Sequence, residues 1–145
     1  MPRRQKRNTV KKTLIRSARD LINEAKRKIT LISCEEANRR MDDAENPPVL
    51  IDVREQFEYE TVRLGASVHI SRGTLEMMVE HEYPDRNTPI LLYCGRGDRS
   101  ALAALTLKRL GYRNVASVEG GLNGWREKGL PVVIPSEQRG PGSGI

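Results

Sequence analysis

Cys94 lies where an apolar run ends and a helical pattern begins. The run Ile90–Tyr93 has the length of a β-strand, and from Ala101 onward apolar residues follow helical spacing. Two glycines and two arginines lie between them. Glycines let the backbone curl so that consecutive amide N–H groups point inward, and a following helix adds its own free N–H groups and the positive end of its dipole. A thiol at the start of such a loop is a candidate nucleophile, because the loop would stabilise a thiolate and hold a bound anion.

The candidate binding loop comprises every residue between the cysteine and the helix: Gly95, Arg96, Gly97, Asp98, Arg99 and Ser100. We expect Arg99 to close the loop and to pair with a carboxylate, and Arg96 to attract an anionic substrate at the entrance. We expect the Ser100 hydroxyl to cap the helix. Asp98 is the one residue of this loop that would disfavour a bound anion, because a carboxylate beside a thiolate repels anions. Either Arg96 and Arg99 neutralise Asp98, or its side chain points to solvent.

The length of this loop separates two chemistries that use a cysteine in such a position. Four residues lie between Cys94 and Arg99. The corresponding loop of cysteine-dependent phosphatases is one residue longer, since a phosphoryl group and the attacking sulfur together need a wider ring of donors. The shorter loop favours a sulfane sulfur carried on the cysteine itself. A Cys-dependent phosphatase or an arsenate reductase is the less favoured alternative.

Three blocks of the sequence resemble the rhodanese (sulfurtransferase) family. They are segment 50–55 (LIDVRE), the loop 94–100, and segment 118–125 (VEGGLNGW) followed by 129–132 (GLPV). Because they occur in the family's order and spacing, the match is more specific than any single motif. Segment 61–66 departs from the family's Gly-His-Ile-Pro-Gly-Ala pattern, and we interpret the change as variation in a surface turn.

The resemblance implies a sulfurtransferase that works by double displacement. Cys94 would attack a small anionic sulfur donor such as thiosulfate and become a persulfide. A thiophilic acceptor would then remove the sulfur: cyanide in an assay, a thiol or a protein in the cell. Asp52 and Arg54 resemble a structural ion pair of the family near the site, and we expect no metal and no cofactor. A sulfur-relay or regulatory binding module, with slow turnover of small donors, is the alternative.

Strand and helix patterns alternate along the chain. Predicted strands cover 30–32, 49–53, 68–70, 90–93 and 115–118, and predicted helices cover 34–44, 55–61, 74–82, 99–110 and 121–128. Alternation with continuous apolar strands indicates an α/β domain of three layers, in which helices flank a mostly parallel central sheet. Cys94 would then lie at the carboxyl end of a central strand, where such folds place their sites.

Positive charge is concentrated at the start of the chain. Of the 145 residues, 25 are Lys or Arg and 19 are Asp or Glu, giving a net charge of +6. Residues 1–28 alone have a net charge of +9, and the remaining residues have a net charge of −3. We expect a helix over about 9–28 whose apolar face packs on the domain or on a second copy of the chain. Contact with nucleic acid or a membrane, or a role as a transit peptide, is less favoured.

The predicted organisation has three parts. A basic extension with an amphipathic helix covers 1–28, a rhodanese-like domain covers 29–134, and a flexible tail rich in Gly, Pro and Ser covers 135–145. We find neither a secretory signal nor an apolar run of membrane-spanning length. The two cysteines, Cys34 and Cys94, are not expected to pair, and a free reactive thiol favours the cytoplasm.

Overall fold

The computed structural model of the chain describes residues 16–43 and 45–138. Its five strands form one parallel sheet in the order β1-β5-β4-β2-β3. The strands are β1 (Thr30–Ile32), β2 (Val49–Asp52), β3 (Ser67–His69), β4 (Ile90–Tyr93) and β5 (Val115–Val118). The predicted α/β fold with a parallel central sheet is confirmed.

Six α-helices flank this sheet within the described ranges. They are α1 (Ala18–Lys28), α2 (Cys34–Met41), α3 (Gln56–Thr61), α4 (Leu75–Glu82), α5 (Asp98–Arg109) and α6 (Gly121–Glu127). Short 3₁₀ turns cover Arg72–Thr74 and Pro135–Gln138. None of the described helices is both long enough and apolar enough to cross a membrane.

The predicted N-terminal helix is longer than the observed α1. Ser17 has extended backbone angles, and its hydroxyl accepts a hydrogen bond from the Asp20 N–H. The Asp20 carboxylate in turn accepts one from the Ser17 N–H. This reciprocal capping box begins the helix at Ala18, so a single helix running through Ser17 is wrong. Residues 9–15 of the predicted helix, and the predicted tail beyond Gln138, lie outside the described residues.

Alternation along β4 divides the core between the two faces of the sheet. Ile90 and Leu92 face the side covered by α4 and α5, and Leu91 and Tyr93 face the side covered by α2 and α6. All four are buried, which explains why this strand is continuously apolar. Cys94 follows Leu92 in the alternation and belongs to the α4–α5 side.

Helix α1 packs against α5, one of the two placements expected for it. Ala25 is fully buried there, and the Lys108 ammonium of α5 donates a hydrogen bond to the Lys28 carbonyl at the end of α1 (2.6 Å). The described part of the basic extension is therefore fixed on the helix that follows Cys94.

Candidate active site

Cys94 lies directly after β4 with its side chain inside the loop that follows. The backbone N–H groups of Gly97 and Ser100 donate hydrogen bonds to Cys94 Sγ, at 3.1 and 3.4 Å. Only 1% of the residue is exposed. Because N–H groups aimed at sulfur stabilise negative charge on it, this geometry suits a thiolate nucleophile.

Gly97 turns the chain into α5. Its φ of +100° lies in the left-handed region, and a Cβ added to it would lie 3.3 Å from the Gly120 backbone N. A side chain is therefore disfavoured by backbone conformation and by space. This turn makes Gly97 the N-cap of α5, so the helix begins at Asp98.

Ser100 does not cap α5 as predicted, because Gly97 has already taken that position. Ser100 lies within the first turn and is fully buried. Its hydroxyl is 3.5 Å from Cys94 Sγ and 2.8 Å from the hydroxyl of Ser117 in β5. Ser100 therefore contacts the sulfur through both its backbone and its side chain. Ser117 was not identified from the sequence, and nothing in its local pattern would have indicated it.

The N-terminus of α6 binds the carbonyl side of the Cys94 loop. The Leu122 N–H donates to the Cys94 carbonyl (2.8 Å), and the Asn123 N–H donates to the Gly95 carbonyl (2.9 Å). A Cβ on Gly121 would lie 2.5 Å from the Cys94 carbonyl oxygen. These bonds use the free N–H groups of a helix start to fix the peptide planes of the loop. The adjacent glycines Gly120 and Gly121, in the segment 118–125, were the sequence signal that α6 and the Cys94 loop approach each other closely.

Arg99 pairs with a carboxylate, and that carboxylate is Glu58 of α3. The two Arg99 Nη atoms bind the two Glu58 oxygens at 2.8 and 3.1 Å. This hydrogen-bonded guanidinium lowers the pKa of Glu58 to about 2 and raises the pKa of Arg99. Glu58 also accepts the Glu55 N–H (3.0 Å), so it is held from two sides. Glu58 was not identified from the sequence, although its spacing from Glu55 is that of a capping box.

Asp52 and Arg54 form a buried ion pair in the wall of the cleft. Arg54 Nη2 lies 2.8 Å from Asp52 Oδ2, and the two side chains are 4% and 0% exposed. The Arg54 backbone N–H also donates to Asp52 (2.9 Å), and its guanidinium donates to the Val62 carbonyl (2.5 Å). The pair connects the end of β2 with the segment after α3, which indicates a structural contribution to the site.

Asp98 is neutralised by helix α1 rather than by its neighbours in the loop. Arg19 donates to the carboxylate at 3.0 and 3.3 Å, and Lys26 donates at 3.0 Å. These hydrogen bonds, first from Arg19 and then from Lys26, hold the pKa of Asp98 below its ordinary value. The expectation that Arg96 and Arg99 neutralise Asp98 is wrong, because the Arg99 guanidinium is engaged by Glu58.

A cleft of about 480 Å³ opens at this loop. Its lining residues are Arg54, Glu58, Cys94, Gly95, Arg96, Asp98, Arg99 and Asn123. Within the described ranges, Arg96 is the guanidinium of this cleft that makes no ion pair. A polar cleft with cations around a nucleophilic sulfur suits a small anionic substrate.

The second cysteine has a different environment. Cys34 is fully buried at the start of α2, and its Sγ lies 3.3 Å from the Glu119 carbonyl oxygen. Burial raises the pKa of its thiol, and both cysteines are free. Cys34 is thus a matched control for reactions at Cys94.

The sequence matches a family model and is similar to known proteins. A family model, the rhodanese-like domain, matches residues 13–128. The chain is 34% identical over 105 residues to a tRNA uridine(34) hydroxylase of Erwinia tasmaniensis, an alignment that covers 67% of this chain and 29% of the relative. The chain therefore spans less than a third of that relative's length.

Two solved structures share the fold over most of their length. A polysulfide-sulfur transferase homodimer from Wolinella succinogenes has a TM-score of 0.69 and 28% identity, covering 83% of this chain and 89% of the other. A Rhodopseudomonas palustris protein of unknown function, described as a possible tyrosine phosphatase, has a TM-score of 0.71 and 28% identity, covering 81% and 95%. Three sequence blocks, the α/β fold and the family match agree: the chain belongs to the rhodanese-like domain family.

Proposed function

We propose that this protein is a sulfurtransferase that carries sulfane sulfur as a persulfide on Cys94. The observation that carries the proposal is the pair of N–H groups, from Gly97 and Ser100, that donate to Cys94 Sγ. The same N–H groups stabilise the thiolate before the reaction and again after the sulfur has left.

The first half-reaction loads the cysteine. The Cys94 thiolate attacks the outer sulfur of thiosulfate, a new S–S bond forms, and the S–S bond of the donor breaks. Sulfite leaves with the electron pair of that bond. Arg96 at the entrance favours the approach of the dianion.

The second half-reaction removes the outer sulfur from the Cys94 persulfide. The thiolate of a small molecule or of a protein, or cyanide, attacks the outer sulfur of the persulfide and forms a bond to it. The bond to Cys94 Sγ breaks, and the thiolate is restored with its electron pair. The two displacements balance without an external oxidant or reductant.

A phosphatase is the second candidate, because one of the similar solved structures is described as a possible tyrosine phosphatase. Four residues separate Cys94 from Arg99, and the two N–H groups of this loop already lie at hydrogen-bonding distance from Sγ. A loop of this size suits a single sulfur atom better than a phosphoryl group, which supports sulfur transfer.

The proposal is tested by intact mass spectrometry before and after thiosulfate. We expect the wild type to gain one sulfur atom, about 32 Da, and to lose it on treatment with cyanide, as covalent double displacement requires. Cys34→Ala should gain the same mass, and Cys94→Ala should gain none. Mass gain by Cys94→Ala, or no gain by the wild type with thiosulfate and polysulfide, would contradict the proposal. Hydrolysis of an aryl phosphate by the wild type but not by Cys94→Ala would support the phosphatase instead.

A further inference from the structure

The Cys94 cleft contains a carboxylate whose partners come from outside the cleft. Asp98 lines the cleft, directly after the Gly97 N–H donor to sulfur. Both of its described ion-pair partners, Arg19 and Lys26, belong to α1, more than seventy positions earlier in the chain. Their two side chains reach the same carboxylate from positions two helical turns apart.

The other charges at the cleft are balanced locally. Arg54 is paired with Asp52, and Arg99 is paired with Glu58. Arg96 and Asp98 remain, and without α1 these two charges would cancel. With α1 in place, one of its cations balances Asp98, and the other adds to the charge of Arg96.

We propose that Arg19 and Lys26 strengthen the binding of a dianionic sulfur donor in the cleft by neutralising Asp98. Asp98 lines the cleft and would repel a dianion if it had no counterion, and two cations on this one carboxylate leave an excess of positive charge next to it. The Arg19 side chain is 59% exposed and that of Lys26 is 33% exposed. Neither side chain lines the cleft, so both act on the ligand through Asp98 and at longer range. The inference rests on the proposed function, in which the donor is a small anion.

A matched arrangement away from the cleft is formed by α1 and Arg16, which lies just before its N-cap. Glu24 is also held by two cations, Arg16 and Lys28, and Glu24 does not line the cleft. Removing Arg16 and Lys28 changes the net charge by the same amount and breaks the same number of ion pairs on this helix. It leaves Asp98 neutralised.

The experiment measures thiosulfate binding by calorimetry in the Cys94→Ala background, where no turnover occurs. We expect Arg19→Gln with Lys26→Gln to raise the Kd about tenfold, because Asp98 is then an unpaired negative charge beside the ligand. Adding Asp98→Asn should restore most of the affinity. The control, Arg16→Gln with Lys28→Gln, should change the Kd less than about twofold, since exposed pairs remote from the ligand contribute little.

Turnover gives a second readout. In proteins that retain Cys94, the Arg19/Lys26 double variant should raise KM for thiosulfate and leave kcat nearly unchanged, and Asp98→Asn should reverse the effect on KM. If thiosulfate binds too weakly for calorimetry, the change in KM for thiosulfate tests the inference instead. A purely structural effect of α1 would lower kcat, would lower the melting temperature followed by circular dichroism, and would not be rescued by Asp98→Asn.

Two outcomes would overturn the inference. One is a control pair that weakens binding as much as the Arg19/Lys26 pair does. The other is an affinity that Asp98→Asn fails to restore in a folded protein. Persulfide formation in the wild type tests the proposed function separately from this inference. If Cys94 forms a persulfide but the Arg19/Lys26 variant binds thiosulfate normally, only the role of α1 is refuted. If the Arg19/Lys26 variant binds thiosulfate more weakly but the wild type forms no persulfide, only the proposed sulfurtransferase activity is refuted.

Discussion

At the scale of single residues, the contact between Arg99 and Glu58 closes the Cys94 loop. We expect Glu58→Gln to lower kcat/KM for thiosulfate about tenfold, because the amide cannot hold the guanidinium by two charge-assisted hydrogen bonds. Glu60→Gln is the matched control: Glu60 is on the same helix, is exposed, and accepts a hydrogen bond only from the Gln56 amide within the described contacts. Equal activity of the two variants would show that the Arg99 contact does not matter for turnover.

The same pair predicts a dependence of stability on pH. The pKa of Glu58 is about 2 in the folded protein, below its ordinary value of 4.5. A carboxylate whose pKa is depressed by folding stabilises fully above its unfolded value, and the contribution is lost as pH falls toward the folded value. With 25% of Glu58 and 40% of Arg99 exposed, the contribution is about 1 kcal/mol or less. In urea denaturation, the stability difference between wild type and Glu58→Gln should be constant near neutral pH and should shrink below about pH 4.5.

At the scale of elements, the start of α6 holds the peptide planes of the Cys94 loop. A Cβ on Gly121 would lie 2.5 Å from the Cys94 carbonyl oxygen and 2.8 Å from the Gly95 carbonyl carbon. Both are backbone atoms, so the contact is relieved only by moving the loop or the helix. Gly121 also has a φ of +57°, which disfavours any side chain.

We therefore expect Gly121→Ala to destabilise the protein by about 2–4 kcal/mol and to abolish most persulfide formation. Gly129→Ala is the matched control, because Gly129 has a φ of +70° with no atom within 4 Å of the added Cβ. That variant should lose only about 1 kcal/mol from backbone strain and should keep its activity. Denaturation and intact mass measure both effects, and similar losses in the two variants would refute the close approach as the cause.

At the scale of the whole molecule, the described part of the basic N-terminal region packs on a domain of opposite net charge. Residues 16–28 contain five Lys or Arg and two Asp or Glu, the residues after 28 have a net charge of −3, and the two meet where α1 packs on α5. Through Arg19 and Lys26, part of this charge lies next to Asp98 in the wall of the cleft. Under the inference above, this packing produces a positive field beside the site.

This arrangement predicts a salt-dependent loading step. Raising the ionic strength from about 0.01 M to about 1 M shortens the Debye length from about 30 Å to about 3 Å, which screens exposed charges such as Arg19. We expect kcat/KM for thiosulfate to fall about tenfold over this range, since steering by charge is lost. Discharge of the persulfide by a small thiolate with a single negative charge should change less than loading by the thiosulfate dianion, and it is the internal control. A loading rate that does not respond to salt would contradict a role for the positive field.

Much of the fold was predictable because its signals are local. Apolar runs such as Ile90–Tyr93 and Val115–Val118 are buried on both faces of a parallel sheet, and their ends matched the structure. Gly97 was recognisable as a turn residue, but the prediction placed the helix start one residue late and gave Ser100 the capping position that Gly97 occupies. The predicted helix over 9–28 was wrong at Ser17, because helical spacing of apolar residues outweighed the capping signal that Ser17 and Asp20 form.

The sequence by itself determined the strand that ends just before Cys94, the glycine turn after it and the uneven distribution of charge, since each is a property of neighbouring residues or of composition. The family was indicated by a resemblance in three separate blocks of the sequence. Only the tertiary structure decided which groups meet there: Glu58 with Arg99, Ser117 with Ser100, and α1 with Asp98. These partners lie on separate elements, and periodicity along a chain reports which face a residue occupies but not which distant residue lies opposite. The charge of Asp98 could not be interpreted from its neighbours, because packing of α1 on α5 supplies its counterions from the other end of the chain.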